Sequence, residues 1–207
     1  MKRISLALAL ALALCSCGGP APAPVQQASD KVLVLVDMQN DFIDGTLGSA
    51  AAQAIVPAVA EKVRAWDGYV LATRDTHGPD YLTATLEGRL LPVEHCLKDS
   101  KGWQICDAVA AALEGKAYLG AVDKVTFGSV DLPKVVASVP GFSKETVIEV
   151  VGLDTDICVV SNTLSLRMHF PDNIIMVDAS CCAGTCSERH EAALATMRSC
   201  QIEVYGE

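Results

Sequence analysis

Hydrophobic and polar positions along this chain group into short blocks, and the order of the blocks sets the expected fold. Residues 31–37 (Lys-Val-Leu-Val-Leu-Val-Asp) form an unbroken apolar run closed by a carboxylate, the pattern of a central parallel strand buried on both faces. Residues 49–66 place alanine, valine and isoleucine at helical spacing, with Glu61, Lys62 and Arg64 among them. A second strand is predicted over 69–74 and runs into the polar cluster Arg74-Asp75-Thr76-His77. Residues 78–101 show no periodicity and read as a long irregular segment, a length that usually carries function. Helices follow over 103–113, 132–138, 156–169 and 187–199, and strands over 118–122, 146–151, 173–177 and 201–205. This alternation predicts one doubly wound, Rossmann-like α/β domain over 31–207 with a mostly parallel sheet.

Polar residues gather where the strands end: Asp37, Asp75, His77, Asp154 and Cys158. In an open parallel sheet that edge is where ligands bind. The most informative stretch is Val151-Gly152-Leu153-Asp154-Thr155-Asp156-Ile157-Cys158, a strand leading through a glycine turn to a cysteine at a helix start. A thiol there would sit among unpaired amides and the positive helix end, which favours the thiolate and could hold an oxyanion. A buried structural cysteine is the alternative.

Composition narrows the class. A chain of 207 residues that is 51% hydrophobic and only 5% aromatic suits a single α/β core. The net charge is −9 and no basic run exists, so nucleic acid is not an expected partner. Lys2 and Arg3 precede an apolar run, residues 4–14, that is too short to span a bilayer but fits a signal peptide. With Ser16 before it, Cys17 resembles the lipidation site of a bacterial lipoprotein, residues 1–17 being the signal; a plain secretory signal is the alternative. The Gly, Ala and Pro-rich residues 18–30 read as a flexible tether. The expected location is therefore the bacterial cell envelope, with membrane contact through the lipid anchor only.

Five motifs, in order, resemble the isochorismatase-like cysteine hydrolases, and among them the nicotinamidases. They are Val36-Asp37-Met38-Gln39-Asn40-Asp41-Phe42, Thr73-Arg74-Asp75-Thr76-His77, Glu87-Gly88 with Leu91-Pro92-Val93-Glu94-His95-Cys96, Lys124-Val125-Thr126-Phe127-Gly128-Ser129, and Gly152 to Val159. The resemblance implies a catalytic trio of Asp37, Lys124 and Cys158. Cys158 would be the nucleophile, Asp37 the proton carrier, and Lys124 the cation holding the pair ionised. It also implies a cis peptide between Leu153 and Asp154, turning the Asp154 amide toward that of Cys158 to form an oxyanion hole.

Asp75 and His77 alternate with Thr76 and can point the same way from an extended segment. With Glu87 and His95 they form the expected metal-ligand set, with Asp80 competing for the place of Glu87. Carboxylate and imidazole ligands suit a divalent metal, Zn²⁺ first, with Mn²⁺ or Fe²⁺ as alternatives. The implied reaction converts nicotinamide, or a similar aromatic carboxamide, to the acid and ammonia through a thioester. Phe42 and Phe127 would contact the ring or simply fill the core. A ureido or carbamoyl amide hydrolase, and a lipid-anchored binding protein without turnover, are the alternatives. A homo-oligomer is expected. Six further cysteines, Cys96, Cys106, Cys181, Cys182, Cys186 and Cys200, leave a structural disulfide open in an exported chain.

Overall fold

The computed structural model describes residues 30–207; the signal, Cys17 and all of the tether but Asp30 lie outside them. Six strands form one sheet: β1 (Lys31–Val36), β2 (Tyr69–Asp75), β3 (Ala117–Lys124), β4 (Val147–Leu153), β5 (Ile175–Ala183) and β6 (Glu203–Tyr205). All neighbours pair in parallel, in the order β3-β2-β1-β4-β5-β6. The helices are α1 (Asn40–Ile43), α2 (Ala50–Ala65), α3 (Tyr81–Ala84), α4 (Leu86–Leu90), α5 (Asp107–Leu113), α6 (Leu132–Ala137), α7 (Val160–His169) and α8 (Ser187–Ser199). A π-helical turn, Thr155–Val159, joins β4 to α7.

This is the doubly wound order, and its direction reverses between β1 and β4. Parallel strands need right-handed crossovers, so helices laid down before and after the reversal cover opposite faces. Accordingly α2 packs on α5, whereas α7 packs on both α6 and α8. Central β1 is covered on both sides, and Val32 to Val36 are buried, which is why its sequence is apolar at every position. α2 starts where the Ser49 hydroxyl accepts from the Ala52 amide at 3.0 Å, and it buries Ala52, Ile55, Val59, Ala60 and Val63.

Three expectations need correction. Residues 103–106 precede α5 rather than open it, because they pair with the site edge instead: the Cys106 amide donates to Met38 O and Gln39 bridges Ile105. Gly152 lies inside β4 rather than in a turn after it, and β5 continues to Ala183, its small residues Cys181-Cys182-Ala183 all buried. The irregular segment holds two short helices, α3 and α4. Every cysteine among the described residues is a free thiol.

Candidate active site

The reversal point places the ends of β1 and β4 side by side, with β2 and β3 next along the same edge. Asp37 follows β1 with φ +48°, a left-handed conformation that aspartate tolerates better than most residues. It is wholly buried, and the Thr73 hydroxyl of β2 donates to its Oδ1 at 2.6 Å. The β2–β3 register sets Asp75 opposite Lys124. Lys124 Nζ then lies 2.7 Å from Asp37 Oδ2, 3.1 Å from Asp75 Oδ1 and 3.4 Å from Cys158 Sγ. One ammonium therefore touches both carboxylates and the thiol. Despite that 2.7 Å contact, Asp37 Oδ2 has no partner at a hydrogen-bonding angle and keeps accepting capacity inside the core.

Cys158 is buried in the π-helical turn, where the amides of Ile157 and Val159 both close on Asp154 O at 3.0 Å. Asn162, one turn further on, donates from Nδ2 to Cys158 O at 2.8 Å and to Phe127 O at 3.2 Å. Its Oδ1 accepts from the Ser129 amide at 2.9 Å. This one amide side chain ties the cysteine's turn to the loop that follows Lys124.

The electrostatics depart from the expected thiolate. Burial, then the charge of Asp37, pushes the Cys158 thiol well above its ordinary range, and Lys124 only partly opposes them. Burial also raises the Asp37 carboxyl against the attraction of Lys124. Burial disfavours charge on Lys124 as well, but Asp37, Cys158 and Asp75 outweigh it and hold the ammonium protonated. The reason is depth: the dipole of a helix end cannot offset full desolvation of a sulfur anion. The site sets a thiol and a carboxyl, both with raised proton affinity, around one fixed cation.

Asp75 also belongs to a second group. Its Oδ2 lies 2.9 Å from His77 Nε2 and 3.3 Å from His95 Nε2. Glu87 Oε1 is 3.9 Å from the first imidazole and 3.8 Å from the second. One ligand atom from each of the four residues falls within 4.8 Å of all the others. His95 Nδ1 contacts Val93 O at 2.8 Å, which fixes the ring and leaves Nε2 facing the group. Two imidazoles and two carboxylates so converged fit a divalent metal. Asp80 is outside this group; its backbone oxygen instead accepts from the Thr83 and Ala84 amides in α3. Burial disfavours charge on Asp75, but His77, His95 and Lys124 outweigh it and hold its carboxyl well below the usual range.

A cavity of about 350 Å³ opens on both groups, bounded by Cys158, Asp75, Glu87 and His95. Phe42 and Phe127 both line it, the first buried and edge-on to His95, the second half exposed. Asp154 lines it as well. The Leu153–Asp154 bond is trans, as is every peptide bond among the described residues. Gly152, inside β4, has φ +127°, and the π-helical residues carry the chain from β4 into α7 without the expected cis bond.

Sequence reasoning missed three positioning residues. Gln39 donates to Asp75 O at 2.9 Å and Trp103 O at 2.8 Å, and accepts from the Asp75 amide at 2.7 Å. Asp41 accepts from the Cys96 amide at 2.7 Å, next in sequence to His95. Asn162 is the third. Its signal was legible, being a polar residue four positions after Cys158 and hence on the same helix face.

The Isochorismatase domain matches residues 31–206, and the chain belongs to that family. Within it, the likeness is to the nicotinamidase subgroup. A nicotinamidase of Schizosaccharomyces pombe is 26% identical over 212 residues, covering 84% of this chain and 92% of the relative. A nicotinamidase/pyrazinamidase of Mycobacterium tuberculosis is 28% identical, covering 84% and 97%. The structure of a Pyrococcus horikoshii pyrazinamidase in complex with zinc superposes with a TM-score of 0.70 at 24% identity, covering 86% and 99%.

Proposed function

We propose that the protein hydrolyses a primary aromatic carboxamide, nicotinamide or a close analogue, to the acid and ammonia through a thioester on Cys158. The observation that carries this is the contact of one buried ammonium, Lys124 Nζ, with Asp37, Asp75 and the Cys158 sulfur together. Nicotinamidase relatives that match most of the chain support the substrate class.

The proposed sequence begins with transfer of the thiol proton to Asp37, whose Oδ2 retains accepting capacity. Sulfur bonds to the carboxamide carbon, and the carbonyl becomes an oxyanion held by Lys124 and the Cys158 amide. Collapse breaks the C–N bond while Asp37 returns its proton to nitrogen, and ammonia leaves. Water then gives a proton to Asp37 and adds to the thioester carbon. Breaking C–S releases the acid, and Asp37 reprotonates the sulfur. A raised proton affinity suits Asp37 for both directions of transfer. Because Lys124 stays charged, it balances the thiolate whenever it forms.

Asp75, His77, Glu87 and His95 would hold a divalent metal, with zinc the leading candidate from the donor set and from the zinc-bound pyrazinamidase of the same fold. The metal would supply a Lewis-acid anchor for the ring nitrogen, orienting the carboxamide toward sulfur. Phe42 and Phe127 would flank the ring.

The test is ammonia release from nicotinamide by purified protein, with Cys158→Ala beside it and metal content measured on both and on His95→Ala. Loss of at least about 10³-fold in Cys158→Ala is expected, and near-stoichiometric metal in all but His95→Ala. Equal rates in wild type and Cys158→Ala sink the covalent route, and wild type purified free of chelator yet devoid of metal sinks the metal site.

A further inference from the structure

Asp154 is the one acidic side chain lining the cavity that neither the proton-transfer trio nor the metal-ligand group uses. It occupies the N-cap position of the π-helical turn, with extended backbone, yet its side chain takes no capping hydrogen bond. An aspartate at such a position ordinarily accepts from the first free amides. Here those amides close on its backbone carbonyl instead. Nearby Asp156 behaves differently, accepting from the Thr185 amide at 2.8 Å and its hydroxyl at 2.6 Å.

Among the described residues no donor or cation reaches the Asp154 carboxyl; the charges acting on it are those of Asp156 and Asp37, both of its own sign. Arg189, also on the cavity lining, donates to Thr185 Oγ1 instead, at 3.4 Å. Much of the remaining wall is apolar: Phe42, Leu47, Leu91, Phe127 and Ile157. The Asp154 carboxyl is only partly buried and faces the cavity, where a donor on a ligand can take the place of water. In its ionised form this carboxyl only accepts hydrogen bonds, so the group that completes that form is a donor.

We propose that Asp154 is a specificity-determining residue whose side chain accepts a hydrogen bond from a second N–H donor on the substrate, selecting carboxamides that carry an amino group in addition to the scissile amide. This rests on the amidase reading of the cavity and narrows its substrate class. Nicotinamide itself offers no such group, since its ring nitrogen is an acceptor. Burial followed by the two neighbouring carboxylates raises the Asp154 carboxyl to about 7, as expected of a group still lacking its donor.

The experiment pairs each of 2-, 5- and 6-aminonicotinamide with the methyl compound substituted at the same position, which matches size without the donor. Binding to Cys158→Ala protein is read by calorimetry, and turnover by wild type through ammonia release. At one ring position the amino compound is expected to bind at least about tenfold tighter than its methyl partner. That ratio should fall to about one in Cys158→Ala/Asp154→Ala protein and shrink with Asp154→Asn, the preference residing in KM rather than kcat. No preference at any position, or a preference that survives both substitutions, overturns the assignment. Selective binding without ammonia release would defeat the amidase reading while leaving Asp154 as the recognition group.

Discussion

At the scale of single residues the site is built from charges placed where they are costly. Lys124 is surrounded by two carboxylates and a thiol, with almost no exposure. Lys124→Met keeps the stem's packing and leaves Asp37 and Asp75 without their cation. Removing one member of a buried ion group costs about 3–5 kcal/mol, so the urea midpoint should fall sharply along with the activity. A change below about 1 kcal/mol would mean the ammonium is not what holds those carboxylates. Asp154 should behave in the opposite sense. Its carboxyl binds protons more tightly folded, at about 7, than at its ordinary value of 3.8. Between those values the folded state holds more protons than the unfolded, so this residue's contribution to stability falls as pH rises through the window. Asp154→Asn should therefore lose less thermal stability than wild type between pH 4 and pH 7; parallel melting curves would contradict that. The residue types of the site were legible in the sequence because chemistry needs them. The upward shift of the Cys158 thiol was not, since it comes from depth in the core, set by residues far along the chain.

Elements decide how those residues meet. β4 runs directly beside β1, with Gly152 opposite Val36. A methyl group at Gly152 would sit 2.1 Å from Val36 O, and the backbone there has φ +127°. Neither backbone can withdraw without opening the switch point between Asp37 and Cys158. Gly152→Ala should cost on the order of 3 kcal/mol or more and remove activity with it. Gly115 is the control: its φ is also positive, but nothing lies within 4 Å of an added methyl. Gly115→Ala should cost only about 1 kcal/mol; equal losses in the two variants would mean that strain alone, not the close approach, matters at position 152. The apolar runs foretold the central strands well, since β1, β2 and β4 are buried on both faces. Their ends were less legible. A glycine read as a turn proved to be a strand residue held against its neighbour, and residues 103–106 gave up helix for pairing with the β1 edge.

Across the whole molecule, the winding reversal brings together groups that are far apart in sequence. Asp75 and Lys124 end β2 and β3, while Asp37 and Cys158 follow β1 and β4, four strands that the parallel order sets side by side along one edge. That order is what the alternating pattern foretold, and it is why a list of strand-end residues was already close to a site. The links that fasten the edge from behind, such as Gln39 to Trp103 and Asp41 to Cys96, join segments with no shared periodicity and so left no trace in it. In the proposed reaction, carbon bonds to the sulfur of Cys158 during turnover. Intact-mass analysis of protein quenched in acid within milliseconds of mixing with nicotinamide tests it most directly. A transient species heavier by the acyl group less one hydrogen is expected, mapping to the peptide containing Cys158 and absent from Cys158→Ala. Steady ammonia release with no such species at any quench time, and undiminished by loss of the sulfur, would contradict it.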